Sequence, residues 1–190
     1  VEYPQSVYCT GGRYITDGAD ETPDSQVAVY QFDKLVMTFE LTLYTPYMLK
    51  SDGVLRQSDM LPYWPQNATR IEIFGTLALM CLGRHGGGWQ VYVRPKSRKP
   101  VVKAQEYGRF PDPAHKENFV QCMRSRRLPN ADVEQGHRSA LLSHYGNISY
   151  RLGGQRLVID RATEQIVDNP EAMKLFERRG RKPWVIEEEV

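Results

Sequence analysis

The sequence predicts an α+β fold: a two-layer, mostly antiparallel open β-sheet of about six strands with helices packed on one face. Three observations point there. The first half carries period-two alternation of apolar and polar residues, which marks strands with one covered face. The second half carries helix-start and helix-stop signals instead. The two patterns are segregated along the chain and do not alternate, which separates this fold from a parallel α/β sheet.

Residues 6–14 are short and β-prone, and Gly11-Gly12 permits a bulge or a close backbone approach. A polar turn, residues 16–24, leads to a second strand over 27–32. Asp33-Lys34 connects it to a third over 35–43, with Met37, Phe39, Leu41 and Leu43 on one face and Thr38, Glu40 and Thr42 on the other. Residues 44–66 read as a long irregular loop, and its Tyr44, Tyr47, Tyr63 and Trp64 favour an ordered one. Strands follow at 70–75, 77–82 and 89–94, and the basic, proline-rich stretch 94–100 closes the β region. Asp112-Pro113 opens a helix running to about Arg126. Asp132, with Gln135 three residues on, caps a long helix that runs to about Leu152 and stops at Gly153-Gly154. Residues 156–159 read as a short returning strand, and Asn169-Pro170 opens a last helix ending at Gly180.

The chain has 190 residues, and the whole of 1–190 reads as one domain. Lys plus Arg is 25 and Asp plus Glu is 23, a near balance that argues against a nucleic-acid partner. No apolar run is long enough for a membrane span. The first residues carry no basic head or apolar core of a signal peptide. The chain begins with Val1, not Met, so it is expected to be a processed product or a piece of a longer protein. Cys9, Cys81 and Cys122 share no metal-ligand or redox spacing, and read as reduced apolar residues. The four histidines are too scattered for a zinc motif, so no metal is expected. Asn67-Ala68-Thr69 and Asn147-Ile148-Ser149 match the glycosylation acceptor pattern; the second falls inside a helix, and both read as chance.

The chemistry-bearing motifs are absent. Gly83-Arg84-His85-Gly86-Gly87-Gly88 is glycine-rich but joins two strands, so it offers no helix N-terminus to a phosphate. The long helix carries Val133, His137, Leu141, His144, Ile148 and Leu152 at spacings that put them on one stripe. That stripe is expected to meet the sheet. His137 on it is either an acid/base or substrate-binding group in a cleft or a satisfied core histidine, and His144 fits the core better. Glu134 and Arg138 make an i,i+4 ion pair. The basic runs at Arg124–Arg127 and Arg178–Lys182 offset helix dipoles.

Several stretches taken in order resemble a known family. They are Ser6-Val7 through Gly11-Gly12-Arg13-Tyr14 and Glu21-Thr22-Pro23-Asp24; Phe74-Gly75-Thr76; and Gly83 through Val91. Asn118-Phe119, Cys122-Met123-Arg124-Ser125-Arg126, Leu128 through Glu134, Gly136-His137-Arg138-Ser139, Gly146-Asn147-Ile148 and Tyr150-Arg151 continue the series. Asp160, Thr163-Glu164, Glu171-Ala172 and Arg181-Lys182-Pro183-Trp184 complete it. The chain is similar to the C-terminal domain of the glucose–fructose oxidoreductase, inositol dehydrogenase and rhizopine catabolism (Gfo/Idh/MocA) family, in its bacterial-type branch. The resemblance implies a two-domain enzyme whose N-terminal Rossmann domain binds NAD or NADP and is missing from this chain. It also implies that this domain supplies part of a sugar or polyol pocket and a homo-oligomer interface through its sheet face. The family's catalytic Lys, in a Glu-Lys-Pro segment, and its His precede this region, so no catalytic or cofactor-binding residue carries over. The cleft residues expected here are Arg84, His85, Trp89 and His137: Trp89 to stack on a sugar ring, Arg84 and His85 to donate to hydroxyls or a carboxylate. The rival expectation is a non-enzymatic carbohydrate-binding or self-assembly module. NAD-assisted glycoside cleavage by the parent enzyme is a third.

Overall fold

The computed structural model describes residues 3–18, 21–50, 53–83, 87–95, 99–177 and 180–185. It is α+β with open, antiparallel sheets, as the segregated patterns require. The described strands form two sheets, and the chain divides into two compact units, one of residues 1–44 with 131–190 and one of 45–130.

In the first unit β1 (Ser6–Gly12), β2 (Ser25–Gln31) and β3 (Val36–Thr42) make an antiparallel meander. Late in the chain β8 (Leu157–Ile159) pairs with the free side of β1, and β9 (Ile166–Val167) pairs with β8. The sheet order is therefore β3-β2-β1-β8-β9, with β3 at one edge. Register sets Val7, Tyr30 and Met37 in one row and Cys9, Ala28 and Phe39 in the next. Alternation turns these rows to the same face, and α3 (Val133–Arg151) covers it over β1. The core is Val7, Cys9, Ala28, Tyr30, Leu141, Tyr145, Ile148, Leu157, Ile159 and Ile166 with Ala172 of α4 (Pro170–Lys174). Cover thins toward the edge, so Phe39 is 55% exposed.

Close approach dictates one glycine here. A Cβ on Gly11 would stand 2.2 Å from the Ser25 carbonyl oxygen. The β1–β2 connection is fixed by Asp24, which is buried. Its carboxylate accepts the backbone N–H groups of Tyr14 (3.0 Å), Ile15 (2.9 Å) and Thr16 (3.0 Å). Burial alone would raise this carboxyl's pKa; the donors win and hold it below its ordinary value.

In the second unit β4 (Arg70–Phe74), β5 (Leu79–Gly83), β6 (Trp89–Val93) and β7 (Val101–Glu106) form an antiparallel sheet in chain order. The seventh strand follows the proline-rich stretch where the sequence was expected to leave the β region. The loop over 44–66 contains a short helix, α1 (Gly53–Arg56), and a single 3-10 turn at Trp64–Gln66. Trp64 is buried, and its Nε1 donates to Gln90 Oε1 at 2.7 Å. Tyr92 donates to the same oxygen at 2.6 Å. The opposite face carries Ile71, Leu82 and Trp89 in one register row and Ile73, Met80 and Val91 in the next. Ile71 and Ile73 are more than half exposed. The helix α2 (Asp112–Ser125) begins one residue early, with Pro111 as its N-cap, so Asp112 lies in the first turn and does not cap it.

The N-terminus of α3 is as expected: Asp132 Oδ1 accepts the N–H groups of Glu134 (2.8 Å) and Gln135 (3.1 Å). Gly153 and Gly154 beyond its end take the left-handed φ that a stop requires. The last helix is shorter than expected, five residues capped by Asn169.

The buried stripe of α3 corrects the sequence expectation. Val133 is 88% exposed, and His137 and His144 face outward. Leu141, Tyr145, Gly146, Ile148 and Ser149 are the buried ones. The stripe is rotated because polar-headed residues occupy core slots with their hydrogen bonds made inside. Tyr145 donates to the Glu164 carbonyl at 2.7 Å. Ser149 Oγ accepts from the Cys9 N–H at 2.9 Å and donates to the Gln155 carbonyl at 2.6 Å.

Candidate functional site

The four expected cleft residues fall in different places. Arg84 and His85 lie outside the described residues. Trp89 stands on β6 in the second unit, half-buried, and its Nε1 donates to Glu106 Oε2 across the strand pair at 3.2 Å. Its ring shares the open face with Ile71 and Leu82. His137 belongs to the first unit, where it is part of a polar cluster that spacing alone did not disclose.

That cluster is built by three segments. The second turn of α3 presents His137 and Arg138. The β8–β9 connection presents Glu164, and the chain ahead of β1 presents Tyr3. The connection is tightened by Asp160, whose Oδ1 accepts the Ala162 N–H at 2.9 Å, and by the Glu164 N–H, which donates to the Asp160 carbonyl at 2.7 Å. Closing it puts Glu164 at φ +63°, a left-handed conformation uncommon for a residue with a Cβ. Glu164 so placed meets His137: Nε2 and Oε2 are 2.6 Å apart. The Tyr3 hydroxyl donates to the other carboxylate oxygen. Arg138 lies over the Tyr3 ring, 5.8 Å from its centroid, and pairs with Glu134 at 2.7 Å.

The electrostatics follow. Hydrogen bonds from Tyr3 and His137 hold the Glu164 carboxyl below its usual range. The same bond to Glu164 raises the Tyr3 phenol, and burial drives the Tyr145 phenol up. The arrangement keeps a carboxylate charged and aims an imidazole at it, while His137 remains about half exposed. A histidine oriented by a carboxylate is suited to donating or accepting a proton at its outer side, or to holding a hydroxyl. Sequence reasoning singled out His137 and noted Glu164 within a matching stretch without giving it a role. Its partnership crosses 27 residues, and only the hairpin closure creates it. Tyr3 gave no signal at all. Among the described residues no group of three His, Cys, Asp or Glu side chains is placed to hold a metal ion. No described helix is long and apolar enough to cross a membrane.

Comparison with known proteins places the fold. No curated protein matches the chain. Solved structures do. An oxidoreductase-class protein of Thermotoga maritima aligns with TM-score 0.56 and 13% identity, over 83% of this chain and 41% of its own. The YvaA protein of Bacillus subtilis, of the same class, gives TM-score 0.55 and 11% identity over 83% and 47%. The WlbA dehydrogenase of Bordetella pertussis, solved with NADH and UDP-GlcNAcA, is 20% identical over 83% and 39%, with TM-score 0.44. The chain thus spans less than half the length of these structures. The family model for the C-terminal alpha/beta domain of the Gfo/Idh/MocA oxidoreductases matches residues 83–186, more than half of the chain. By that match the chain belongs to the Gfo/Idh/MocA oxidoreductase family and carries its C-terminal domain.

Proposed function

We propose that this chain is the substrate-binding and oligomerisation part of an NAD(P)-dependent oxidoreductase that acts on a sugar or polyol. The observation that carries the reading is the family match over 83–186, which takes in Trp89, His137 and Glu164. The nicotinamide cofactor belongs to a Rossmann domain in the parent protein; hydride transfer needs the ring held against the substrate carbon, and the glycine-rich sequence here leads from β5 into β6, a strand and not a helix. His137, held by Glu164, is a hydrogen-bonding group for a substrate hydroxyl. Trp89 offers an aromatic surface to a sugar ring, with Arg84 and His85 on the connection just before it as donors. Ile71, Ile73, Met80 and Leu82 supply apolar area for a second copy of the chain.

The test is a comparison of the full-length gene product with residues 1–190. Titrated with NADH, the full-length protein should change the cofactor's fluorescence, and given NAD+ or NADP+ as hydride acceptor it should oxidise members of a polyol panel; the shorter chain should do neither. His137→Ala in the full-length protein should raise KM about tenfold or more, the worth of a hydrogen bond to a polar substrate. Ile73→Asp should shift the assembly toward monomer in sedimentation. A native gene product of 190 residues that dimerises through the sheet and ignores NADH would replace this reading with the self-assembly module.

A further inference from the structure

The C-terminal half of α3 borders a groove of about 360 Å³ in the first unit, of a size for a small ligand. One wall is the helix face formed by His144, Asn147 and Arg151. Their i, i+3, i+7 spacing aligns them over roughly 10 Å of helix. Glu21 stands among the lining residues from the β1–β2 connection, and buried Pro23 and Ile148 give the groove an apolar floor. The same helix handles polar side chains differently at its other end. There Arg138 is paired with Glu134 and His137 with Glu164. Among the described residues, the side chains of His144, Asn147 and Arg151 make no hydrogen bond or ion pair. Three open head groups thus line one groove.

We infer that this groove binds a small hydroxylated monocarboxylate, a sugar acid. The guanidinium of Arg151 matches a carboxylate in a two-point fork. His144 and Asn147 each both donate and accept, as successive hydroxyl groups demand. Glu21 accepts from a further hydroxyl, and its charge disfavours a dianion such as a phosphate monoester. The apolar floor takes the C–H face of the carbon skeleton. The inference does not depend on the proposed oxidoreductase reading, since none of these residues is used there.

The experiment is an amide-resolved NMR titration of this chain with D-glucuronate, with D-glucose, acetate and glucose 6-phosphate as comparisons. Glucuronate should move the resonances of Glu21, Asn147 and Arg151 saturably, and each comparison compound should bind about tenfold more weakly or worse. Arg151→Gln and Asn147→Ala, both exposed positions, should keep the dispersed spectrum and lose about tenfold in affinity. The inference is overturned if glucuronate leaves those resonances still. It is equally overturned if glucose binds as well as glucuronate, or if folded Arg151→Gln binds as tightly as the parent.

Discussion

Individual side chains in this molecule matter chiefly through buried polar bonds that bridge distant segments. Ser149 joins the Cys9 N–H to the Gln155 carbonyl inside the core. Ser149→Ala strands the Cys9 amide, and an unmet buried donor costs about 1–3 kcal/mol; a urea unfolding midpoint will show the loss. Tyr30 is buried, its phenol pushed up to about 12 by burial, and it donates to the Leu142 carbonyl at 2.8 Å. Tyr30→Phe leaves the ring packed and removes one bond, so it should cost about 0.5–1.5 kcal/mol, less than the serine change. Glu164 sets a pH dependence. A carboxyl held below its ordinary 4.5 in the folded state stabilises above that value and loses this contribution as pH falls through the folded pKa. Unfolding midpoints measured from pH 6 downward should therefore fall more steeply in the parent than in Glu164→Gln. Equal slopes would remove Glu164 from the account.

At the scale of elements, most strands and the caps of α3 and α4 were legible, and the cap of α2 and the buried face of α3 were not. The period-two rows of β3 and the Asp132 cap of α3 are local signals, and local signals survive folding. The face of α3 was misread because apolar letters were counted, and Val133 and two histidines completed a tidy stripe. The packed face keeps Leu141 and Ile148 of that stripe but turns through Tyr145, Gly146 and Ser149, which meet Tyr30 and Cys9 far along the chain and Gln155 six residues on. A Cβ on Gly146 would come within 2.9 Å of the Tyr30 hydroxyl. β7 was hidden by the prolines ahead of it, and all six of its residues are exposed, so no covered face marks it. The pairing of His137 with Glu164 could not be read from spacing at all. Gly11→Ala tests the tightest contact between elements. Its Cβ would collide with the Ser25 carbonyl, and backbone cannot rotate away as a side chain can, so a loss of about 1–3 kcal/mol or more is expected in thermal unfolding.

For the whole molecule the governing fact is connectivity. The first unit is made of two stretches of chain with residues 45–130 between them, and those residues form a unit of their own. Its sheet is complete only when Ser6 meets Val158, so the last strands decide whether the first ones have a place. This has a consequence in time. On the ribosome β1, β2 and β3 emerge early, with Val7, Cys9 and Tyr30 bare and one side of β1 unpaired, and they wait on the order of ten seconds for β8 at ordinary synthesis rates. The intervening unit, whose strands pair only with chain neighbours, has everything it needs to fold during that delay. The long loop closure between β1 and β8 then becomes the joining of two ends across an already folded body, a smaller search than the same closure through open chain.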